Sequence, residues 1–324
     1  ELRNPFRTAY VSMPTLFYWP LSWAMRLVGD GVAGLRLPAA VVGTATVPAL
    51  YLLARQLWGR RMAVLSAAFL ATYDYHIHYS RLGANNIWDP LFAVLTLWLV
   101  ELGLVSTVEK KRTCYFILAG LVMGLSAYFY TGARLLPFLV LAYVAFAVVV
   151  KRMQEPRSEK NLALGPPLVM FCLAFLVAGG PILGFALSHP DDWNARLNQV
   201  GIIQSGWLAR EPALTGKSMV QILAEQFLKA SGAFHVFPDR TVWYGADRPL
   251  LGFLPGAFAV LGMAWAGLRW RERRNCLVLL WFWAVIITAG MLTESPPSSQ
   301  RLVIAIPAVA PVSYTHLMLP TNII

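Results

Sequence analysis

The chain has 324 residues, 57% of them hydrophobic and only 13% charged, with a mean hydropathy of +0.56; ordinary soluble domains carry roughly 25% charged residues. A chain so poor in charge cannot turn most of its surface to water, which excludes an ordinary soluble domain. The net charge of +11 raises the question of nucleic acid, but most Lys and Arg sit in short loops between apolar runs, which is membrane topology, so no nucleic-acid partner is expected.

The expected fold class is all-α: a polytopic membrane protein whose apolar runs of about 20 residues each cross a hydrocarbon core about 30 Å thick. Helices are the form that satisfies the backbone in lipid. The chain begins at Glu1 with no Met and no signal-like segment, and an upstream segment is expected. Residues 14–28, PTLFYWPLSWAMRLV, are aromatic, carry Pro20 and Arg26, and are too short to span comfortably; they predict an interfacial helix.

Spans are then predicted over 37–55, 62–79, 87–107, 114–130, 135–150, 162–187, 251–268 and 276–293, with a partial one over 302–312. That gives eight to nine transmembrane helices, of which 62–79 is the least apolar. Residues 188–250 form the one long polar segment, and within it 217–230 (KSMVQILAEQFLKA) has apolar residues at helical spacing, predicting a helix on the membrane surface. Residues 313–324 break the last apolar run and resemble a translated sequencing adapter, so they are expected to be a non-native tail. Residues 1–312 are expected to form a single transmembrane domain.

Basic residues set the orientation, because translocating Lys and Arg is disfavoured. Arg55, Arg60 and Arg61 form one cluster, Lys110, Lys111 and Arg112 a second, Lys151, Arg152, Arg157 and Lys160 a third, and Arg269, Arg271, Arg273 and Arg274 a fourth. They occupy every second loop, which is therefore cytoplasmic. The other loops carry single arginines, Arg81, Arg134 and Arg301, and face outwards together with 188–250. The expected location is the bacterial inner or plasma membrane with an extracytoplasmic active face. Cys114, Cys172 and Cys276 lack paired spacing and read as packing or lipid-facing residues.

Polar residues at the outer helix ends are costly unless solvated or used, so the candidates are Arg81, Asn85, Asn86 and Asp89; Tyr130 and Arg134; His235, Asp239, Arg240 and Asp247; and Glu294 and Arg301. Guanidinium groups there suit phosphate, to which they donate paired hydrogen bonds at any relevant pH. The plain alternative is an arginine that snorkels to anchor its helix. His76 and His78 do not form an intrahelical metal pair, since residues two apart point about 200° apart on a helix; packing or hydrogen bonding is expected, and no metal or other cofactor. Asp89 precedes Pro90 and an apolar run, which reads as a helix N-cap and does not exclude a substrate contact. Asp74 reads as a water-facing helix end. Glu101, towards the cytoplasmic end of its span, can snorkel, or pair with Lys110 or Lys111 only if packing allows.

Six stretches carry a family resemblance: Pro14-Thr-Leu-Phe-Tyr-Trp-Pro20; Gly29 with Leu35-Arg36-Leu37-Pro38; LLARQLWGRR over 52–61; Ser80-Arg81 with Asn85, Asn86 and Asp89; Tyr130-Thr-Gly-Ala-Arg134; and Pro296-Pro297 with Arg301-Leu302 and Pro307. In this order and spacing the chain resembles, over residues 10–312, the integral-membrane glycosyltransferases of the C-type fold, in the group of protein O-mannosyltransferases and lipid A aminoarabinose transferases. The resemblance implies inverting transfer of a sugar from a polyprenyl-phosphate carrier to an acceptor on the outer side, be it protein, lipid or glycan. A carboxylate general base would take the acceptor's proton and cations would stabilise the leaving phosphate.

Three departures qualify it. The family's catalytic Asp, usually in an Asp-Glu pair before the interfacial helix, has no counterpart in residues 1–11. The general base is expected upstream of residue 1, and the chain as given is expected to be inactive. Where the family often has an aspartate about five residues after the loop arginine, Asn86 stands here; either Asp89 replaces it through a shifted helix start or Asn86 keeps only a hydrogen-bonding role. A family lysine before the interfacial-helix proline is Met13 here. The resemblance assigns lipid-phosphate contacts to Arg134 and Arg301, and Arg81, Asn85, Asn86, Asp89 and Tyr130 complete the expected substrate wall. The rival readings are a transporter or flippase of lipid-linked sugars, against which stands the lack of an internal repeat, and a membrane subunit without chemistry.

Overall fold

The computed structural model describes residues 14–154, 164–245 and 247–315. The search for an Asp-Glu pair in residues 1–11, the Met13 departure, Arg157 and Lys160 of the third basic cluster, and residues 316–324 of the expected tail all lie outside the described residues. Within them the chain is helical, as α1 (Tyr18–Val28), α2 (Val32–Trp58), α3 (Arg60–Thr72), α4 (Asp74–Arg81), α5 (Trp88–Val105), α6 (Glu109–Ser126), α7 (Leu136–Gln154) and α8 (Gly165–Ser188). There follow α9 (Pro190–Val200), α10 (Trp207–Thr215), α11 (Met219–Ser231), α12 (Phe253–Leu268), α13 (Arg273–Val285), α14 (Ser299–Leu302) and α15 (Ile306–Thr315). The extended pairing among the described residues is a single antiparallel bridge between Gly201 and Thr293.

The protein is an integral membrane protein. Five described helical stretches are long and apolar enough to cross a bilayer: Val32–Trp58, Asn85–Val105, Thr131–Val150, Gly165–Ser188 and Arg273–Met291. The other expected spans depart from that standard for identifiable reasons. The four charged residues at the start of α6 occupy its first turn, and Phe253–Leu268 and Ser299–Ser313 are shorter. The expected span over 62–79 is not one helix. It breaks at Tyr73, whose backbone is extended (φ −74°, ψ 111°), because the second half, DYHIHYSR, buries polar side chains against partners that a continuous apolar helix would not reach. Tyr73 donates its hydroxyl to the Leu250 carbonyl at 2.8 Å. Asp74 accepts from Tyr244 Oη at 2.9 Å and from Arg248, and burial first, then Asp74, hold the Tyr244 hydroxyl up at about 12, so it stays a donor. The water-facing end expected at Asp74 is thus an exposed ion pair.

α5 is the axis of the bundle, with 72% of its apolar window buried inside the fold. Next to it, α6 and α8 approach unusually closely, because small residues face each other. A β-carbon on Gly124 would lie 2.8 Å from both the Ala178 β-carbon and the Gly179 nitrogen, and one on Gly120 would overlap the Phe171 carbonyl. In lipid, where apolar side chains gain little by leaving the solvent, such backbone approach is what holds helices together. Gly124→Leu is therefore expected to destabilise the fold by about 2–3 kcal/mol, seen as an earlier thermal transition in detergent. An unshifted transition would show that the α6–α8 seam contributes little.

The polar segment 188–250 is more ordered than a loop carrying one surface helix. α9, α10 and α11 fill its first two thirds, and α11 closely matches the predicted 217–230 helix. Its start is a capping box: Ser218 Oγ accepts the Gln221 N–H, and Gln221 Oε1 accepts the Ser218 N–H at 2.9 Å. Two further contacts tie the segment to the end of α13's apolar stretch. Glu294 N–H donates to the Val200 carbonyl at 2.8 Å, and Gln226 Nε2 to the Thr293 carbonyl at 3.0 Å.

At the end of the bundle bearing the basic clusters, Glu101 is buried and does not use Lys110 or Lys111. Tyr143 donates its hydroxyl to Glu101 Oε2 at 2.5 Å, and Arg273 Nη2 lies 3.4 Å from Oε1. Packing selects these partners, because Tyr143 of α7 and Arg273, the first residue of α13, reach Glu101 while Lys110 and Lys111 begin the next helix.

Candidate functional site

The site lies at the opposite end of α5. A 3-10 turn, Asn85–Ile87, leads into the helix, and its two asparagines face different neighbours. Asn85 Nδ2 donates to the Phe129 carbonyl at 2.9 Å, and Asn86 Nδ2 to the Gln300 carbonyl at 3.2 Å. They therefore join the start of α5 to the end of α6 and to α14. Asn86 and Asp89 are 4% and 1% exposed, too buried to be an open substrate wall, yet Asn86 Oδ1 and Asp89 Oδ1 each lack a protein partner.

Asp89 is not an N-cap. It is the second residue of α5, whose preceding residue Ile87 makes no side-chain cap. Its carboxylate instead leaves the helix and accepts the Ala133 N–H of a second 3-10 turn, Thr131–Leu135. Gly132 fits against it because it has no side chain: a β-carbon there would overlap the carboxylate. Asp89 thus fixes the turn that carries Tyr130 at one end and Arg134 at the other.

Arg134 turns towards α9. Its guanidinium carbon sits 3.6 Å from the centre of the Trp193 ring, and Nη2 donates to the Trp193 carbonyl at 2.8 Å. Arg301, on α14, donates from Nη1 to the Glu294 carbonyl at 2.7 Å, and its buried Nε has no protein partner. Both arginines, with Tyr130, line a cavity of about 260 Å³ whose other walls include Phe138, Ile304 and a third arginine, Arg196. Tyr130's hydroxyl is raised by burial and then by Asp89, so it is neutral and a donor at physiological pH. The cavity is therefore lined by three positive charges and a phenol together with aliphatic and aromatic surface.

Of the sequence candidates, Tyr130, Arg134 and Arg301 come together at this cavity, and Asn85, Asn86 and Asp89 brace its wall from behind. Arg81 is exposed at the end of α4 and is not among the lining residues. Arg196 is the residue that sequence reasoning missed. Its signal was available: Trp193, Arg196, Leu197 and Val200 recur at the spacing of one helix face, in a helix whose first turn carries Asp191 and Asp192.

The two histidines have separate packing roles. His76 Nε2 is 3.0 Å from the Gly43 carbonyl of α2, and His78 Nε2 is 2.6 Å from the Trp243 carbonyl. Among the described residues no three His, Cys, Asp or Glu side chains gather as a metal would require. The three cysteines are unpaired, with Cys276 buried and Cys114 and Cys172 exposed.

Residues 12–177 match the family described as dolichyl-phosphate-mannose-protein mannosyltransferase. A curated relative, dolichyl-phosphooligosaccharide-protein glycotransferase 3 of Archaeoglobus fulgidus, is 26% identical over 162 residues, 47% of this chain and 18% of its own length. The crystal structure of ArnT from Cupriavidus metallidurans bound to undecaprenyl phosphate superposes with a TM-score of 0.62 at 17% identity, covering 94% of this chain and 49% of that one. The archaeal oligosaccharyltransferase AglB from Archaeoglobus fulgidus, in complex with an inhibitory peptide and a dolichol-phosphate, gives a TM-score of 0.55 at 14% identity, covering 97% of this chain and 44% of that one. The chain thus spans about half the length of these solved structures and under a fifth of the curated relative. The likenesses show the fold expected from the sequence, that of the C-type membrane glycosyltransferases.

Proposed function

We propose, starting from the fact that the chain belongs to the dolichyl-phosphate-mannose-protein mannosyltransferase family, that it serves transfer of a sugar from a polyprenyl-phosphate donor to an acceptor on the extracytoplasmic side of the membrane. The observation that carries this reading is the cavity where Arg134, Arg196 and Arg301 meet, from three stretches of chain, beside Phe138 and Ile304. A phosphate carrying a long hydrocarbon chain needs both surfaces: guanidinium donors for its oxygens and an apolar path for its first isoprene units. The solved relatives hold undecaprenyl phosphate and dolichol-phosphate, ligands of that same chemistry.

In the proposed reaction the acceptor oxygen bonds to the anomeric carbon as the bond from that carbon to the phosphate oxygen breaks, which inverts the centre. The acceptor's proton passes to a carboxylate general base, a role for which no residue of this chain is put forward. Arg134, Arg301 and Tyr130 hold the phosphate as its charge grows, the contribution expected to matter most in such a step. Asn85, Asn86 and Asp89 hold the turns that carry them. Arg81, exposed away from the cavity, serves as an interfacial anchor. No cofactor is invoked, and sugar and acceptor are left to experiment.

The test is binding of undecaprenyl phosphate and of uncharged undecaprenol to the chain in lipid nanodiscs, followed by release of lipid phosphate from a panel of polyprenyl-phosphate sugars by the full-length protein. Clear preference for the phosphate, with release of the lipid phosphate, is expected. Equal binding of both lipids would sink the reading, and movement of intact donor across the bilayer without release would replace it with transport.

A further inference from the structure

Ser299 is a junction that the reaction above does not use. It is fully buried and begins α14, the first turn of a helical stretch that runs on through a 3-10 turn at Val303–Ala305 into α15, and the N–H groups of such a first turn have no partner within the helix. Ser298 before it makes no side-chain cap, and its buried hydroxyl has no protein partner. The cap comes from elsewhere in the chain: Asp239 Oδ1 accepts the Ser299 N–H at 2.9 Å. Thr241 steers that carboxylate, donating its N–H to Oδ1 at 3.2 Å and its hydroxyl to Oδ2 at 2.7 Å. On the other side, Tyr75 donates to the Ser299 carbonyl, and Tyr79 Oη lies 2.8 Å from Ser299 Oγ.

Two residues further on, Arg301 faces the cavity with Arg196 as a neighbouring cation. Like charges in a partly desolvated space repel, so a free Arg301 would turn away from Arg196. A turn that is locked in place keeps it there.

We propose that Asp239 is a positioning residue: by bonding Ser299 it fixes α14 so that Arg301 stays aimed into the cavity, and so sets the affinity for the lipid-linked phosphate. The proposal rests on the functional reading above and adds to it the means by which segment 239–241 governs that site.

The test uses the full chain in lipid nanodiscs, titrated with undecaprenyl phosphate and, as the uncharged control, undecaprenol. Asp239→Asn is expected to weaken the phosphate lipid about tenfold and to leave undecaprenol unchanged. Combined with Arg301→Ala it is expected to add nothing, because it acts through that side chain, whereas independent effects add. Thr241→Val keeps the carboxylate and removes its steering hydroxyl; a smaller loss in the same direction is expected, and this variant decides the matter if Asp239→Asn does not insert. Unchanged affinity, or losses that add to that of Arg301→Ala, overturn the assignment and leave the functional reading standing. A wild-type chain that binds both lipids equally overturns the functional reading and this proposal with it.

Discussion

Replacing Arg301 with alanine is expected to weaken binding of undecaprenyl phosphate by about a hundredfold, since truncating one partner of a buried, hydrogen-bonded charge pair costs roughly 2–5 kcal/mol. The side chain is suited to that size of effect. Its Nη1 is held by the Glu294 carbonyl while Nε is buried with no protein acceptor, so a donor is desolvated in advance of any ligand. Arg134→Ala is expected to cost less, because that guanidinium already spends one face on Trp193 and one hydrogen bond on its carbonyl. Arg301→Lys is expected to recover only part of the loss, since an ammonium cannot donate in a planar fork. Titration with undecaprenol separates the two terms: its affinity should be the same in all variants. A hundredfold loss for undecaprenol as well would mean that the substitution damages the fold.

The largest effect on stability is expected at the end of α5 away from the cavity. Glu101→Ala should destabilise the protein by about 3 kcal/mol, because it leaves the fully buried Tyr143 hydroxyl without an acceptor and opens space where the carboxylate sat. Arg273, at 36% side-chain exposure, can turn towards water, which keeps the cost below that of a fully buried broken pair. Glu101→Gln retains an acceptor and should lose about 1 kcal/mol. Thermal unfolding in detergent gives the comparison, with lipid-phosphate affinity at low temperature expected to be unchanged in both. Equal losses for Ala and Gln would assign the effect to charge and not to the hydrogen bond from Tyr143.

What the sequence made legible follows from the range of the interactions involved. Apolar runs and alternating basic clusters are local, and they located the long helices, the helix at 18–28 and the polar segment. The capping residues of α11 are local too. Tyr130, Arg134 and Arg301 were found because the topology argument puts all three at one end of the bundle, and the structure brings them to one cavity. Asp89 was misread as an N-cap because its true partner, the Ala133 N–H, belongs to a different turn. The sequence leaves Glu101 open between snorkelling and a conditional pairing with Lys110 or Lys111, because its actual partners come from α7 and α13, distant in sequence. The break at Tyr73 is not fixed by the sequence around it, although the polar run Asp74–Arg81 follows directly, because the partners that set it lie more than 160 residues away. Arg196 escaped for a different reason: it sits in a polar stretch where one arginine among several charges carries no hydropathy signal.

The broken helix also bears on how the protein is made. Tyr73 finds its partner at Leu250, 177 positions later; His78 meets Trp243 at 165, and Tyr75 and Tyr79 meet Ser299 at 224 and 220. Contacts of such separation form late, since the chain between them must be closed first. While the ribosome is still translating α5 to α11, Tyr75, His78 and Tyr79 of α4 therefore lack their final partners, and α4 stays provisional in the membrane. It becomes permanent when Trp243, Leu250 and Ser299 emerge and reach their partners. Shortened chains ending before residue 239 should accordingly be turned over faster by membrane proteases than chains ending after residue 302, although both contain every helix up to α11.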